Sequence, residues 1–294
     1  MGKTILLSHG SGGEMSHDLI NDLFLKYFDN PILASQTDSA VLNIPPENVS
    51  FTTDSYVIDP VFFPGGDIGK LAVCGTVNDL AVSGAVPKYL SAGFIIEEGF
   101  ELEDLERIVA SMSEEAKKAG VQIVTGDTKV VDRGKADKIF INTAGIGVVK
   151  PEFKNLSYGR DIKPGDKLIL NGTMGDHGVT VMAKRESLGG KSHLKSDCAS
   201  LNHLIESVLN SYNDVKLVRD ITRGGLATVL CEIIDKDRFG ITIEEEKIPV
   251  KDEVNGMCEI LGLDPLYIAN EGKFLMIAGE NEAGQERRRV ARRV

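Results

Sequence analysis

An α/β (α+β) protein of two domains is the fold class the sequence predicts, and three observations carry that expectation. The chain has 294 residues, more than one ordinary hydrophobic core accommodates and the length of two domains of about 150 residues each. Extended and helical patterns alternate in both halves. Between the halves, KPEFKNLSYGRDIKPGDK carries two prolines and many polar residues. It marks a boundary at about 150–165 and divides the chain into domains 1–150 and 151–294.

Taken in order, segments 33–43 (ILASQTDSAVL) and 50–58 (SFTTDSYVI) predict strands, being rich in β-branched and aromatic residues. PGGDIGK predicts a helix over 67–83, with a Gly-Gly turn, an acidic residue at its start and small apolar residues after it. KYLSAGFIIE (88–97) predicts a further strand. The clearest helix covers 101–118, where Leu102, Leu105, Val109, Met112 and Ala116 recur every three or four residues with Glu and Lys between them. A short strand (121–124), the polar stretch TGDTKVVDRG and a long strand (138–149) complete the first half. The second half predicts a strand at KLILNG and helices near 175–187, 198–212 and 222–234. Strand ITIEEE, a short helix around 252–261 and strand 273–279 follow.

Composition narrows the function. Hydrophobic residues at 42% and charged residues at 26% describe a globular chain rather than a disordered one. The net charge of −11 argues against binding nucleic acid or an anionic membrane through bulk charge. No apolar run reaches the roughly 18 residues of a bilayer span, and the N-terminus carries no signal-peptide pattern. Cys74, Cys198, Cys231 and Cys258 are scattered, with no C-x-x-C pair. The expectation is a cytoplasmic protein with neither nucleic-acid nor membrane partners.

Several nucleotide and hydrolase signatures are missing. GGDIGKL has Pro64 where a P-loop needs its first glycine and Leu71 where it needs a hydroxyl, and there is no G-x-G-x-x-G, H-E-x-x-H or G-x-S-x-G. What the chain does hold is a set of aspartates at strand–turn junctions: Asp38, Asp54, Asp79, Asp127, Asp176 and Asp220. Carboxylates suit a hard cation such as Mg²⁺, and an acidic site holds polyphosphate only through bridging metal. Each aspartate alone is equally at home as a helix cap or turn residue. His9-Gly10-Ser11-Gly12-Gly13 is either a phosphate-covering glycine loop or a simple N-terminal turn. Arg223-Gly224-Gly225 opens a helix, a geometry that favours anions.

The combination says more than any one motif. HGSGG, TTDSYVIDPVFFPGGDIGKLAVCGTVNDLAVSGA, VTGDTKVV, INTAGIG, MGDHG, RDITRGGLATVL and NEGKF, in this order, resemble the HypE family of hydrogenase maturation proteins. That family lies in a superfamily with aminoimidazole ribonucleotide synthetase, selenophosphate synthetase and thiamine-phosphate kinase. The resemblance runs from about residue 5 to residue 279. It implies the two-domain PurM-like fold: an N-terminal sheet domain that dimerises, a C-terminal α+β domain, and ATP with Mg²⁺ in the cleft between domains. By the family motifs, Asp38, Asp54, Asp79 and Asp220 are the metal- and phosphate-side acids. Asn78, Asp79, Gly126, Asp127, Thr128 and Arg223 line the nucleotide site, and Ser11 and Gly12 lie in the phosphate-covering loop. Lys129 and Glu271 lie near the reacting group.

The implied reaction is ATP-dependent dehydration of a protein-bound thiocarbamate to a thiocyanate, which supplies cyanide to the iron of nickel–iron hydrogenase. Implied partners are a second copy of the chain, the carbamoyltransferase HypF and the HypC–HypD scaffold. Two alternatives stand beside it: another ATP-dependent kinase or synthetase of the superfamily, or an inactive nucleotide-binding scaffold. Selenophosphate synthetase is disfavoured because no cysteine lies near the glycine loop. The family ends in a tail of the type Pro-Arg-x-Cys, whose thiol carries the substrate. This sequence ends in RRRVARRV, with Cys258 as its last cysteine. The expectation is a chain altered after residue 279 that binds Mg²⁺–ATP without carbamoylating itself.

Overall fold

A computed structural model describes residues 4–11, 14–36, 39–44, 48–186, 193–234 and 239–280. The first half opens with helix α1 (Glu14–Leu19), which continues through a π-turn (Ile20–Phe24) into α2 (Leu25–Tyr27), and then a single turn α3 (Pro31–Ala34). Strand β1 (Asn48–Tyr56), a small hairpin of β2 (Phe62–Phe63) and β3 (Gly66–Asp67), and helix α4 (Ile68–Val82) follow. Strand β4 (Ala85–Glu97), helix α5 (Leu102–Ala119), and strands β5 (Gln122–Val131) and β6 (Ile139–Val149) close the half. The large sheet has the order β1-β6-β4-β5, with β4 and β5 parallel and the other pairs antiparallel.

The second half contains β7 (Lys167–Leu170), α6 (Asp176–Arg185), α7 (Asn202–Leu209), β8 (Val215–Asp220), α8 (Gly225–Ile233), α9 (Asp252–Leu261) and β9 (Phe274–Ala278). Its three-stranded antiparallel sheet is ordered β7-β9-β8, and all five residues of the central strand β9 are buried.

Helix α4 is the element on which both halves close. Asp67 caps it by accepting from the Gly69 and Lys70 amides at 2.8 and 3.0 Å. Of its 15 residues, 13 are buried, so it has no water-facing side, as expected of a helix apolar all round. Ile68, Ala72, Val73 and Val77 join the core beneath the large sheet. Ala81 and Val82 join the core of the second half with Ile169, Ile205 and Met276. Leu71 and Cys74 meet Cys198 between them. A β-carbon at Gly75 would collide with the Tyr56 hydroxyl, so glycine is what lets β1 pack this closely.

The stretch 194–202 of the second half runs across the first half and is tied down by polar contacts. Asn78, buried in α4, donates to the carbonyls of Ala199 (3.0 Å) and Glu271 (3.3 Å) and accepts from the Leu201 amide (2.8 Å). Asn202 and His203 meet the last carbonyls of α5, Ala119 and Lys118, and Ser200 donates to Glu115.

Four expectations from the sequence are corrected. Segment 33–43 is not a strand where described: Asn30 accepts from the Leu33 amide and Pro31 stands at the first helical position, which starts a turn of helix at Pro31–Ala34. The strand expected over 121–124 does not end there: β5 continues through the polar stretch in parallel register with β4 to Val131. ITIEEE pairs with no strand of the small sheet; Ile241 leans on the apolar cluster around Leu226, and Glu245–Lys247 form a 3₁₀ turn. The helix expected over 198–212 is confined to Asn202–Leu209.

Asn78→Ala removes three hydrogen bonds to buried backbone at the seam. The expected outcome is a loss of about 2–4 kcal/mol of stability in denaturant unfolding, since each orphaned buried group costs about 1–3 kcal/mol.

Candidate functional site

Strand alternation builds the first part of the site. TTDSY lies in β1, so Thr52, Asp54 and Tyr56 share one face, which packs on α4. The Thr52 hydroxyl donates to Asp79 Oδ2 at 2.8 Å, and the Tyr56 hydroxyl donates to Asp54 Oδ2 at 3.2 Å. Asp79 is near the C-terminal end of α4, Asp220 is the last residue of β8, and Glu271 precedes β9. The electrostatics tie Asp79 and Glu271 alike to Asp54 and Asp220. Burial, then the charges of Asp220 and Asp54, push the Asp79 carboxyl up to about 7 against the hydroxyl of Thr52. Asp220 is raised by burial and by Asp54, with Arg219 opposing. Burial, then Asp197, Asp220 and Asp54, hold Glu271 well above the ordinary carboxylate range, while Arg223 acts the other way.

Four acids thus gather at the domain seam, and among the described residues no cation forms an ion pair with Asp54, Asp79 or Asp220. Nor do three or more His, Cys, Asp or Glu groups form a ready-made metal cage there. The all-oxygen donors fit a hard cation that takes one or two carboxylates and completes its shell with phosphate and water. Asp54, Asp79 and Asp220 are the residues that would hold it.

The second part is a cavity of about 330 Å³ under the edge strand β5. Phe24, Phe28, Leu33, Phe94 and Ile123 form its apolar wall, with His9, Asp127, Thr128 and Lys129 at its lining as well. Gly10 lies against Val130, so the HGS turn crosses β5, and Ser11 folds back to donate to the Ser8 carbonyl at 3.0 Å. An apolar slot with a few polar groups suits a planar heterocycle.

Register separates residues that the motif TGDTK places side by side. Gly126 and Thr128 pair with Ala92 and Phe94, whose side chains face the core. Asp127 and Lys129 alternate to the other face beside Gly93 and Ile95, where they form an exposed ion pair at 3.0 Å. Since β1 and β5 are opposite edges of the sheet, about 14 Å apart at ordinary strand spacing, Lys129 lies far from the acid group that contains Asp54. Asn78 is committed to backbone, and Arg223 is exposed in the turn before α8. Asp38 and Gly12 lie outside the described residues, as does the arginine-rich tail.

Sequence reasoning passed over Thr52, Tyr56 and Asp197. The first two were findable from the period of two in a strand that contains Asp54. His177 is buried: its Nδ1 meets the Ser196 hydroxyl at 2.8 Å, and burial pushes its pKa down to about 4. No described helix is long and apolar enough to cross a membrane.

Two family models match the chain in tandem, AIR synthase related protein N-terminal domain over residues 36–149 and C-terminal domain over residues 163–294. These define its class, the PurM-like fold with one such domain in each half. Within that class, the chain belongs to the HypE family of carbamoyl dehydratases and hydrogenase maturation proteins. It is 52% identical to carbamoyl dehydratase HypE of Rhodobacter capsulatus, covering 95% of this chain and 82% of that one. The crystal structure of hydrogenase maturation protein HypE in complex with ATP superposes with a TM-score of 0.92 at 50% identity, covering 96% of this chain and 83% of that one. The structure of a HypE–HypF complex matches with a TM-score of 0.77 at 50% identity, covering 91% and 86%.

The raised pKa of Asp79 sets an expectation with a definite sign. A carboxyl near 3.8 unfolded and about 7 folded opposes folding increasingly as pH rises through that window. Asp79→Asn is therefore expected to raise the thermal midpoint of the metal-free protein at pH 7.5 by a few degrees and to leave it unchanged at pH 3.5. Differential scanning calorimetry at the two pH values checks it.

Proposed function

We propose that this chain is an ATP-dependent carbamoyl dehydratase that converts a thiocarbamate on a cysteine thiol to a thiocyanate, as a step in supplying cyanide for nickel–iron hydrogenase. The observation that carries the reading is the meeting of Glu271 with Asp54, Asp79 and Asp220 at the seam between domains. The family membership and the ATP complex of the relative support ATP as the co-substrate.

An amide oxygen is a poor leaving group until it is phosphorylated. Transfer of the γ-phosphoryl to the carbamoyl oxygen gives an imidate phosphate. Loss of phosphate, with removal of the remaining N–H proton, then leaves the C≡N bond, with ADP and phosphate as the other products. Glu271 is the base proposed for the nitrogen protons. Its raised pKa makes it a strong acceptor once ionised. A divalent cation among the three aspartates would neutralise the phosphate charge and offset the negative field that adds to burial in raising the Glu271 carboxyl. Lys129 is the proposed cation beside the transferring phosphoryl group. The slot beneath β5, with Gly126 and Thr128 at its wall and Ser11 beside it, is the proposed seat of the nucleoside.

Lys129 and Glu271 then act together across two copies of the chain. The outer face of the large sheet supports this: Phe51 is 68% and Ile95 44% exposed there. Strand β4 is paired on both sides, and the edges of the sheet are β1 and β5. Further proposed partners are HypF, supported by the complex of the relative, and the HypC–HypD scaffold, supported by family membership alone. Of the cysteines, Cys74, Cys198 and Cys258 are buried and Cys231 is exposed on α8.

Two outcomes are expected. ATP binding measured by calorimetry requires Mg²⁺ and falls at least about tenfold in Asp79→Asn, on the order of 1.4 kcal/mol; equal affinity in EDTA counts against the site. Lys129→Ala and Glu271→Gln are each inactive on a peptide ending in S-carbamoylcysteine. Randomly remixed, they recover about a quarter of the parent rate, because half the dimers carry one intact composite site. No recovery on mixing removes the shared-site reading.

A further inference from the structure

We propose that Asp197 is a positioning residue that holds the Glu271 peptide in place for proton removal; the inference rests on the dehydratase reading above. Asp197 sits on the strip 194–202 that binds the two halves together, and its side chain is 3% exposed. Its Oδ1 accepts from the Glu271 amide at 3.1 Å. From the other side, the Asn78 side chain donates to the Glu271 carbonyl at 3.3 Å. Glu271 is therefore gripped at both ends of its own backbone by two side chains from distant parts of the chain.

The strip has little freedom to move. The Ser196 amide donates to the Pro64 carbonyl at 2.8 Å, and the Ser196 hydroxyl accepts from the Cys198 amide at 3.1 Å and meets His177. A β-carbon at Gly272 would collide with the Asp197 carbonyl, so the two backbones are in contact immediately after Glu271. The flanking residue Asn270 is fixed as well, accepting from the Gly175 amide at 2.8 Å and donating through its own amide to the Ile221 carbonyl at 3.1 Å.

A carboxylate is an expensive way to satisfy one backbone N–H. Asp197 Oδ2 is buried without a hydrogen-bond partner, and the nearest cation, Lys273 Nζ, stands 3.9 Å away, beyond hydrogen-bonding range. A buried acceptor left half-used in this way calls for a reason, and fixing the adjacent base supplies one. Misplacing a catalytic group by about 1 Å costs up to about 100-fold in rate, so a second grip on the Glu271 backbone matters to turnover well beyond its worth to stability.

The test compares Asp197→Ala, which removes the acceptor, with Asp197→Asn, which keeps a carbonyl oxygen in its place. Amide hydrogen exchange at Glu271 is expected to quicken at least about tenfold in Asp197→Ala and to stay near the parent value in Asp197→Asn. With ATP and the S-carbamoylcysteine peptide, kcat is expected to fall about 10–100-fold in Asp197→Ala while KM for ATP changes less than twofold, and Asp197→Asn is expected to restore kcat to within about threefold. If Asp197→Ala does not fold, Asp197→Ser, whose hydroxyl is too short to reach the amide, takes its place. Unchanged exchange at Glu271, unchanged kcat despite faster exchange, or an Asn variant as slow as the Ala variant each overturns the proposal. A parent chain that protects the Glu271 amide yet turns over no peptide overturns the dehydratase reading instead, and with it the catalytic purpose assigned to Asp197.

Discussion

A helix without a wet side is the constraint from which the rest of this structure follows. Helix α4 has to be covered all round, and neither half of the chain covers it alone: the large sheet and α5 take one side, and the core around Met276 and Ile205 takes its far end. Burying such a helix is favourable by roughly 25 cal/mol for each Å² of apolar surface, and this drives the two halves together. Glycine and alanine within it set how closely neighbours approach. In its last turns stand Asn78, buried and joining the halves, and Asp79, which is only partly buried and faces the acid group. The packing of the protein and the placement of its acids thus have one origin.

That origin has an electrostatic cost. Burial first, and then the repulsion of Asp220 and Asp54, pushes the Asp79 carboxyl up to about 7. The free chain carries this strain as lost stability, and a cation bound with phosphates, as proposed above, would relieve it.

The parts legible in the sequence were those with a strong local period or a cap. Helix α5 announces itself by five apolar residues at helical spacing, and Gly120 ends it in a left-handed conformation. Helix α4 was legible from its opening turn and Asp67. The described residues of segments 33–43 and 241–246 have strand-like composition but meet no partner strand, and pairing is a tertiary fact that composition does not contain. The polar half of β5 shows the converse, a strand held by its parallel neighbour despite a turn-like sequence. For the site, Asp54, Asp79, Asp220 and Glu271 stood out through family resemblance, while base composition and spacing left each of the aspartates indistinguishable from a turn residue. Asp197, in KSDCAS, had no signal at all, since its role depends on a contact with a residue 74 positions away. The opposite facing of Lys129 and Thr128 follows from strand period alone once β5 is known to extend that far.

The shared helix also bears on how such a chain could change over evolutionary time. A cut in the linker after Val149 looks harmless on paper, yet the piece it releases would present Leu71, Cys74, Ala81 and Val82 to water as a continuous greasy seam, the kind of surface that drives aggregation. Swapping one half for that of a distant relative would meet the same obstacle, because both faces of the seam must match. The two halves are separable units of inheritance only in the alphabet of the sequence; in the folded molecule they stand or fall as one.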